Sequence, residues 1–203
     1  MRKLIETIRN IYKIEELRNR ILYTLGIILI YRLGSYIVLP GVDPEMLAAL
    51  QAQGSEGLMG LLNMFSGGAF SNASIFALGI MPYISASIVI QLLGMAIPYF
   101  QRLQREGESG RRKINQITRY LTVIIVALQA PAYIANVTSQ LPAQAIIPFD
   151  PAVTTPPFFF WMSSTLILIS GTLFVMWLGE KITDKGIGNG ISLIIMIGII
   201  ARL

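Results

Sequence analysis

The stretch FFFWMSSTLILISGTLFVMWL, residues 158–178, decides the fold. It carries no charge. Phe158, Phe159, Phe160 and Trp161 crowd one end, and Phe174 and Trp177 mark the other. A bilayer core of about 30 Å takes about 20 apolar helical residues, and aromatic rings favour both membrane interfaces. Residues 21–39, 75–99 and 120–137 qualify by the same criterion. A fifth run, 187–203, is interrupted by Gly188, Asn189 and Gly190. Four such stretches in 203 residues predict an all-α, polytopic membrane helix bundle. The first run is long and has no small-residue cleavage site after it, which argues against a signal peptide.

Composition agrees. The chain is 54% apolar and 13% charged, with mean hydropathy +0.63, whereas a soluble domain carries about 25% charge. There is no His and no Cys. That excludes disulfides, metal or haem ligation by those residues, and Ser-His-Asp or Cys-His catalysis. No catalytic residue, metal site or cofactor is expected. Every Asp and Glu lies outside the apolar runs, so no intramembrane carboxylate pair is available for a proton relay or aspartyl proteolysis.

The net charge of +5 could point to nucleic acid, but its placement points to topology. Arg2, Lys3, Arg9, Lys13, Arg18 and Arg20 precede the first run. Arg102, Arg105, Arg111, Arg112, Lys113 and Arg119 follow the second, and Lys181 and Lys185 precede the fifth. Residues 40–72 and 139–156 contain no Lys or Arg, only Asp43, Glu45, Glu56 and Asp150. This alternation follows the positive-inside rule and predicts a cytoplasmic N-terminus. Ile5, Ile8, Ile11, Ile14, Leu17 and Ile21 recur at helical spacing, so residues 1–20 read as an amphipathic helix lying on the cytoplasmic interface.

Several features stand out against this background. Arg32 lies within the first run, where a central Arg costs about 2.5–3.5 kcal/mol. It can snorkel to the headgroups or make an internal polar contact, and both readings stand. Residues 58–72, LMGLLNMFSGGAFSN, are apolar but short and broken by Gly67 and Gly68. They read either as an external loop or interfacial helix, or as a re-entrant element buried in protein. Pro82 falls inside the second run and predicts a kink or break nearby. Ser85, Ser87 and Gln91 make that run polar, and Gln129 with Pro131 does the same for the third. Ile80, Ile84 and Ile88 recur every four residues, as do Ile187, Ile191 and Ile195. On spacing alone such stripes face lipid or core. Residues 186–190, GIGNG, lack dinucleotide-site spacing, and residues 107–113 lack the order of a P-loop.

Four stretches together resemble the bacterial SecY family: RLGSYIVLPGVD (32–43), NMFSGGAFSNASIFALGIMPYISASIVIQ (63–91), EGESGRRK (106–113) and MWLGEKITDKGIGNGIS (176–192). The chain is similar to that family's N-terminal half. One family proline is replaced in IVLPG (37–41). The resemblance implies half of a ten-span, clamshell-shaped channel for unfolded preproteins in the bacterial plasma membrane. It implies a plug in the segment 58–74, with Phe65, Ser66, Gly67, Gly68, Ala69 and Phe70, and a pore ring drawing on Ile80, Ile84, Ile191 and Ile195. It implies lateral-gate positions at Ser85, Ser87, Gln91 and Gln129, where signal sequences intercalate. It places Arg105, Arg111, Arg112 and Lys113 in a cytoplasmic loop, 100–119, facing the motor ATPase SecA or a docked ribosome. SecE and SecG are the implied membrane partners, and no nucleic acid is expected beyond contact with ribosomal RNA. On this view the chain is a fragment of a longer product or cannot conduct alone. The rival readings are a small-molecule permease with helices broken at Pro82 and at 186–190, and a non-conducting, truncated membrane scaffold.

Overall fold

The computed structural model describes residues 14–45, 64, 66–140 and 158–201. Its named elements are all helices: α1 (Glu15–Gly34), α2 (Met81–Ala96), α3 (Pro98–Arg105), α4 (Glu108–Gln140), α5 (Phe158–Lys185) and α6 (Gly190–Ile200). Strand-like pairing includes an isolated antiparallel bridge, Val38 with Ser74.

The outer surface is apolar as well as the interior, unlike that of a water-soluble bundle. Thr24, Ser35, Ser66, Ser74, Thr118, Thr122, Ser164 and Thr172 are buried, while Leu22, Leu25, Leu29 and Leu33 of α1 are exposed. A lipid solvent tolerates exposed alkyl groups, so hydroxyls turn inward, where several find partners although Ser164 Oγ and Thr172 Oγ1 have none. Thr118 and Thr122 donate to the carbonyls of Ile114 and Thr118, four residues back.

Two described helices, α4 and α5, are long and apolar enough to cross a bilayer, and α2 with α3 makes a third if that bent pair is one span. The first apolar run is helical only to Gly34. Residues 1–13 of the expected amphipathic helix lie outside the described residues, and Glu15 to Arg20 form the first turns of α1 itself.

Two prolines mark helix starts, and at Pro82 the expected kink or break takes the form of a break. Pro82 does not kink a helix; it occupies the first turn of α2, where its missing N–H costs nothing. Residues 75–80 are turns. At the other end, Ile97 is extended, as a residue before proline prefers. Pro98 then starts α3, and the chain bends by 100° between α2 and α3. The expected basic loop 100–119 is thus largely helical, formed by α3 and the start of α4. Buried Leu103 anchors α3 against α4. A Cβ at Gly110 would strike the Leu103 carbonyl, so glycine permits that approach.

The glycine-rich run 186–190 is a tight helix connection. Asn189 caps α6, its side chain accepting from the Ile191 and Ser192 N–H groups. Thr183 Oγ1 accepts from Gly190 N–H at 2.9 Å, and Thr24 Oγ1 of α1 accepts from Ile187 N–H at 3.2 Å. Asn189→Ala is expected to cost about 1 kcal/mol, read as a lower thermal midpoint of the full-length protein in detergent.

Candidate functional site

The second family-like stretch folds into something that is neither helix nor loop in the ordinary sense. Residues 66–80 run as successive turns through the middle of the bundle. They contribute to both apolar cores. Ala73 and Ala77 pack with Leu39, Val42, Ala130, Tyr133, Ile134, Phe160 and Leu168. Ala69, Phe76 and Ile80 pack with Ile27, Tyr31, Val175, Leu178, Ile182 and Ile194. Phe76 stacks between Tyr31 and Phe174, with centroids 6.1 and 5.9 Å away.

Irregular backbone at this depth must find its hydrogen bonds inside the protein. Part of the demand is met locally: Asn72 N–H donates to Gly68 O, Ser74 N–H to Ala69 O, and Phe70 N–H to the Ser66 hydroxyl. Residues 73–75 pair with the chain leaving α1, through Leu39 N–H to Ala73 O at 2.8 Å and Ile75 N–H to Ile37 O at 3.0 Å. This pairing holds Ala73 at φ 43°, a conformation costly for a residue with a Cβ.

The remaining demand is met by side chains from other helices. Arg32 Nη1 donates to Gly67 O at 3.0 Å, Tyr133 Oη to Phe70 O at 2.7 Å, and Tyr31 Oη to Ser66 O at 3.4 Å. The structure therefore resolves the two readings of Arg32 in favour of the internal contact. Its second nitrogen reaches Tyr36 Oη at 3.3 Å, and its guanidinium lies over the Tyr36 ring. The Phe70 ring meets Tyr133 edge-on at 4.9 Å. Gly67 adopts φ 63°, and a Cβ there would lie 2.9 Å from Gly198 Cα of α6, so only glycine fits. Residues 58–63 and Phe65 lie outside the described residues; Ser66, Gly67, Gly68, Ala69 and Phe70 all belong to this seated segment.

The four isoleucines expected at a pore converge. Ile80 is buried in the cluster around Tyr31 and Phe76, and Ile84, Ile191 and Ile195 are half-buried against the same cluster. Ile195 also borders a shallow apolar groove of about 360 Å³ along α6, with Ser192, Met196, Ile199 and Ile200. Ile88 and Ile187, the outer members of the stripes, are exposed.

Of the polar positions, Gln91 donates to the Ser87 hydroxyl at 3.3 Å, and Ser85 and Gln129 are exposed on α2 and α4. Arg105, Arg111, Arg112 and Lys113 are exposed. Arg112 pairs with Glu108 at 2.9 Å and Lys113 with Glu106 at 4.0 Å, contacts that contribute little in solvent. Sequence reasoning counted Arg119 among the loop charges; it forms a bidentate pair with Glu180, at 3.0 and 2.6 Å, tying α4 to α5. It also missed Tyr31 and Tyr133, whose only signal was a hydroxyl-bearing ring inside an apolar run. Among the described residues, no group of His, Cys, Asp and Glu has the arrangement to hold a metal ion.

The model of the SecY family matches residues 74–203. Protein translocase subunit SecY of Escherichia coli (strain K12) is 47% identical over 188 residues, covering 93% of this chain and 41% of the relative. The subunit of the same name from Buchnera aphidicola subsp. Schizaphis graminum is 48% identical over 204 residues, covering the whole chain and 45% of the relative. That of Streptomyces scabiei is 48% identical over 198 residues, covering 94% and 44%. The chain thus spans less than half the length of these relatives. A solved structure described as that of a protein conducting channel shares the fold, with TM-score 0.56 and 18% identity over 89% of this chain and 36% of that one. With its apolar outer surface, its helical architecture and a family match over most of its length, this membrane protein belongs to the SecY family.

Proposed function

We propose that the chain is the N-terminal half of the pore-forming subunit of the Sec translocon, a passive conduit rather than an enzyme. It passes unfolded preproteins across the bacterial plasma membrane and releases signal and transmembrane segments sideways into lipid. One observation carries the reading: an irregular segment, 66–80, is seated in the bundle beside four converging isoleucines. Ser66, Gly67, Gly68, Ala69 and Phe70 act as the plug, with Phe65. Ile80, Ile84, Ile191 and Ile195 form this half's share of a pore ring. A ring of branched alkyl groups dewets a narrow passage, yet it asks for no hydrogen bonds from a passing peptide. Sequence tolerance follows from that chemistry.

The ten-span channel has its N-terminus in the cytoplasm, since 14 of the 16 basic residues precede or follow spans on that side. Arg105, Arg111, Arg112 and Lys113 then face SecA or the ribosome, and SecE and SecG are the membrane partners. Ser85, Ser87, Gln91 and Gln129 supply a polar seam at the lateral gate, where weaker packing allows opening.

A photo-crosslinker placed at Ser87 or Gln129 of the full-length protein is expected to capture the signal sequence of an arrested preprotein. Saturable uptake of a small solute without such crosslinks would replace this reading with that of a permease. Neither activity would indicate a scaffold.

A further inference from the structure

The segment 66–80 is held in two chemically different ways. Residues 73–75 are fixed by backbone pairing with residues 37–39. Among the described residues, the backbone bonds of residues 66–70 are local, and the carbonyls of Ser66, Gly67 and Phe70 also accept from side chains of Tyr31 and Arg32 on α1 and Tyr133 on α4. We infer that Tyr31, Arg32 and Tyr133 form a latch that positions residues 66–70 in the closed channel, with residues 73–75 as the fixed end on which they swing. The inference rests on the proposed channel function.

The physical argument is a difference between states. In the seated state the Ser66 and Phe70 carbonyls each accept a long local N–H bond, from Ala69 and Ala73 at 3.3 Å, and the side chains fill their second acceptor position, while Arg32 serves the Gly67 carbonyl. Once residues 66–70 leave, water in the opened passage solvates those carbonyls. The donor bonds therefore favour the closed state alone. The backbone pairing at 73–75 survives in both states and favours neither. Geometry ranks the three. Arg32 brings a charge-assisted donor at 3.0 Å, Tyr133 a short neutral bond at 2.7 Å, and Tyr31 a long one at 3.4 Å. Removing a neutral bond shifts such an equilibrium by about fivefold, and a charge-assisted one by about tenfold or more.

The test uses full-length protein in planar bilayers and in detergent. Arg32→Met removes an expensive charge from a membrane helix, so insertion is not impaired. Tyr133→Phe keeps the ring that packs on Phe70. Resting open probability is expected to rise about tenfold in Arg32→Met, about fivefold in Tyr133→Phe and least in Tyr31→Phe, with the conductance of the single open pore unchanged. Hydrogen exchange is expected to accelerate at the amides of residues 67–72 and to stay slow at Leu39 and Ile75. General destabilisation would speed both regions together and would overturn the latch. Deleting residues 67–70 separates the two hypotheses. If the deletion raises resting conductance and the point variants do not, the latch is wrong and the channel stands. If the deletion leaves conductance unchanged, the channel reading fails and the latch with it.

Discussion

Full-length protein carrying Ile84→Asn and Ile191→Asn is expected to leak ions at rest at least about tenfold faster than the parent. Ile84 on α2 and Ile191 on α6 flank the cluster that contains Ile80 and Ile194, and both are half-buried. Keeping a side chain of this size from water is worth about 1.5–3 kcal/mol. An amide at either position welcomes water instead, and two opposed amides stabilise a hydrated constriction. Both side chains are half-buried, so each position contributes about half of that, and since 1.36 kcal/mol is a factor of ten, the two together reach that scale. The measurement is the resting conductance of purified protein in a planar bilayer. Conductance equal to the parent's would mean these isoleucines serve packing alone. Ile88→Asn is the control, because Ile88 is exposed outside the cluster and its replacement is expected to leave conductance unchanged.

The second large effect is on stability. Gly171→Ala is expected to cost about 3 kcal/mol. A Cβ at that position of α5 would run into the carbonyl of Ile75, with the Phe76 ring 3.3 Å away. The carbonyl belongs to backbone pinned by its pairing with residues 37–39, so it has no room to retreat. Overpacking against fixed backbone sits at the upper end of the usual range. The clash arises at Cβ, so alanine suffices and larger residues add little. Gly26→Ala gives the contrast. Nothing lies within 4 Å of a Cβ there, and alanine in an exposed helix position stabilises by about 0.5–1 kcal/mol. Unfolding of the two full-length variants in detergent should therefore move in opposite directions. A Gly171→Ala protein as stable as the parent would show that α5 does not press on the seated segment.

The spans were legible to different degrees, and the reasons are local. The runs 120–137 and 158–178 appear as the cores of α4 and α5, because a helix satisfies its own backbone and needs only apolar side chains to stay in lipid. The second run was misjudged at both ends. Hydropathy continues without a break from residue 75 into α2, but residues 75–80 form short local turns held against Ile37, Phe174 and Gly171. Pro82 marks a helix start as readily as a kink, and periodicity does not choose between them. Residues 100–105 were read as loop for their charges, although Pro98 and the last-turn arginines are helix signals. Asn189, ahead of an apolar run, is itself an N-cap signal.

The sequence by itself determined that this is a membrane helix bundle, roughly where its helices run, and which family it resembles. Hydropathy and charge placement act over windows of about 20 residues, so reading along the chain recovers them. Only the tertiary structure decided what holds residues 66–80. Their hydrogen-bond partners lie 35 and 63 residues away, on α1 and α4. A carbonyl in an apolar setting accepts whichever donor the packing delivers, and no local pattern specifies which that will be. Arg32, ambiguous along the chain, acquired its role from where Gly67 came to rest.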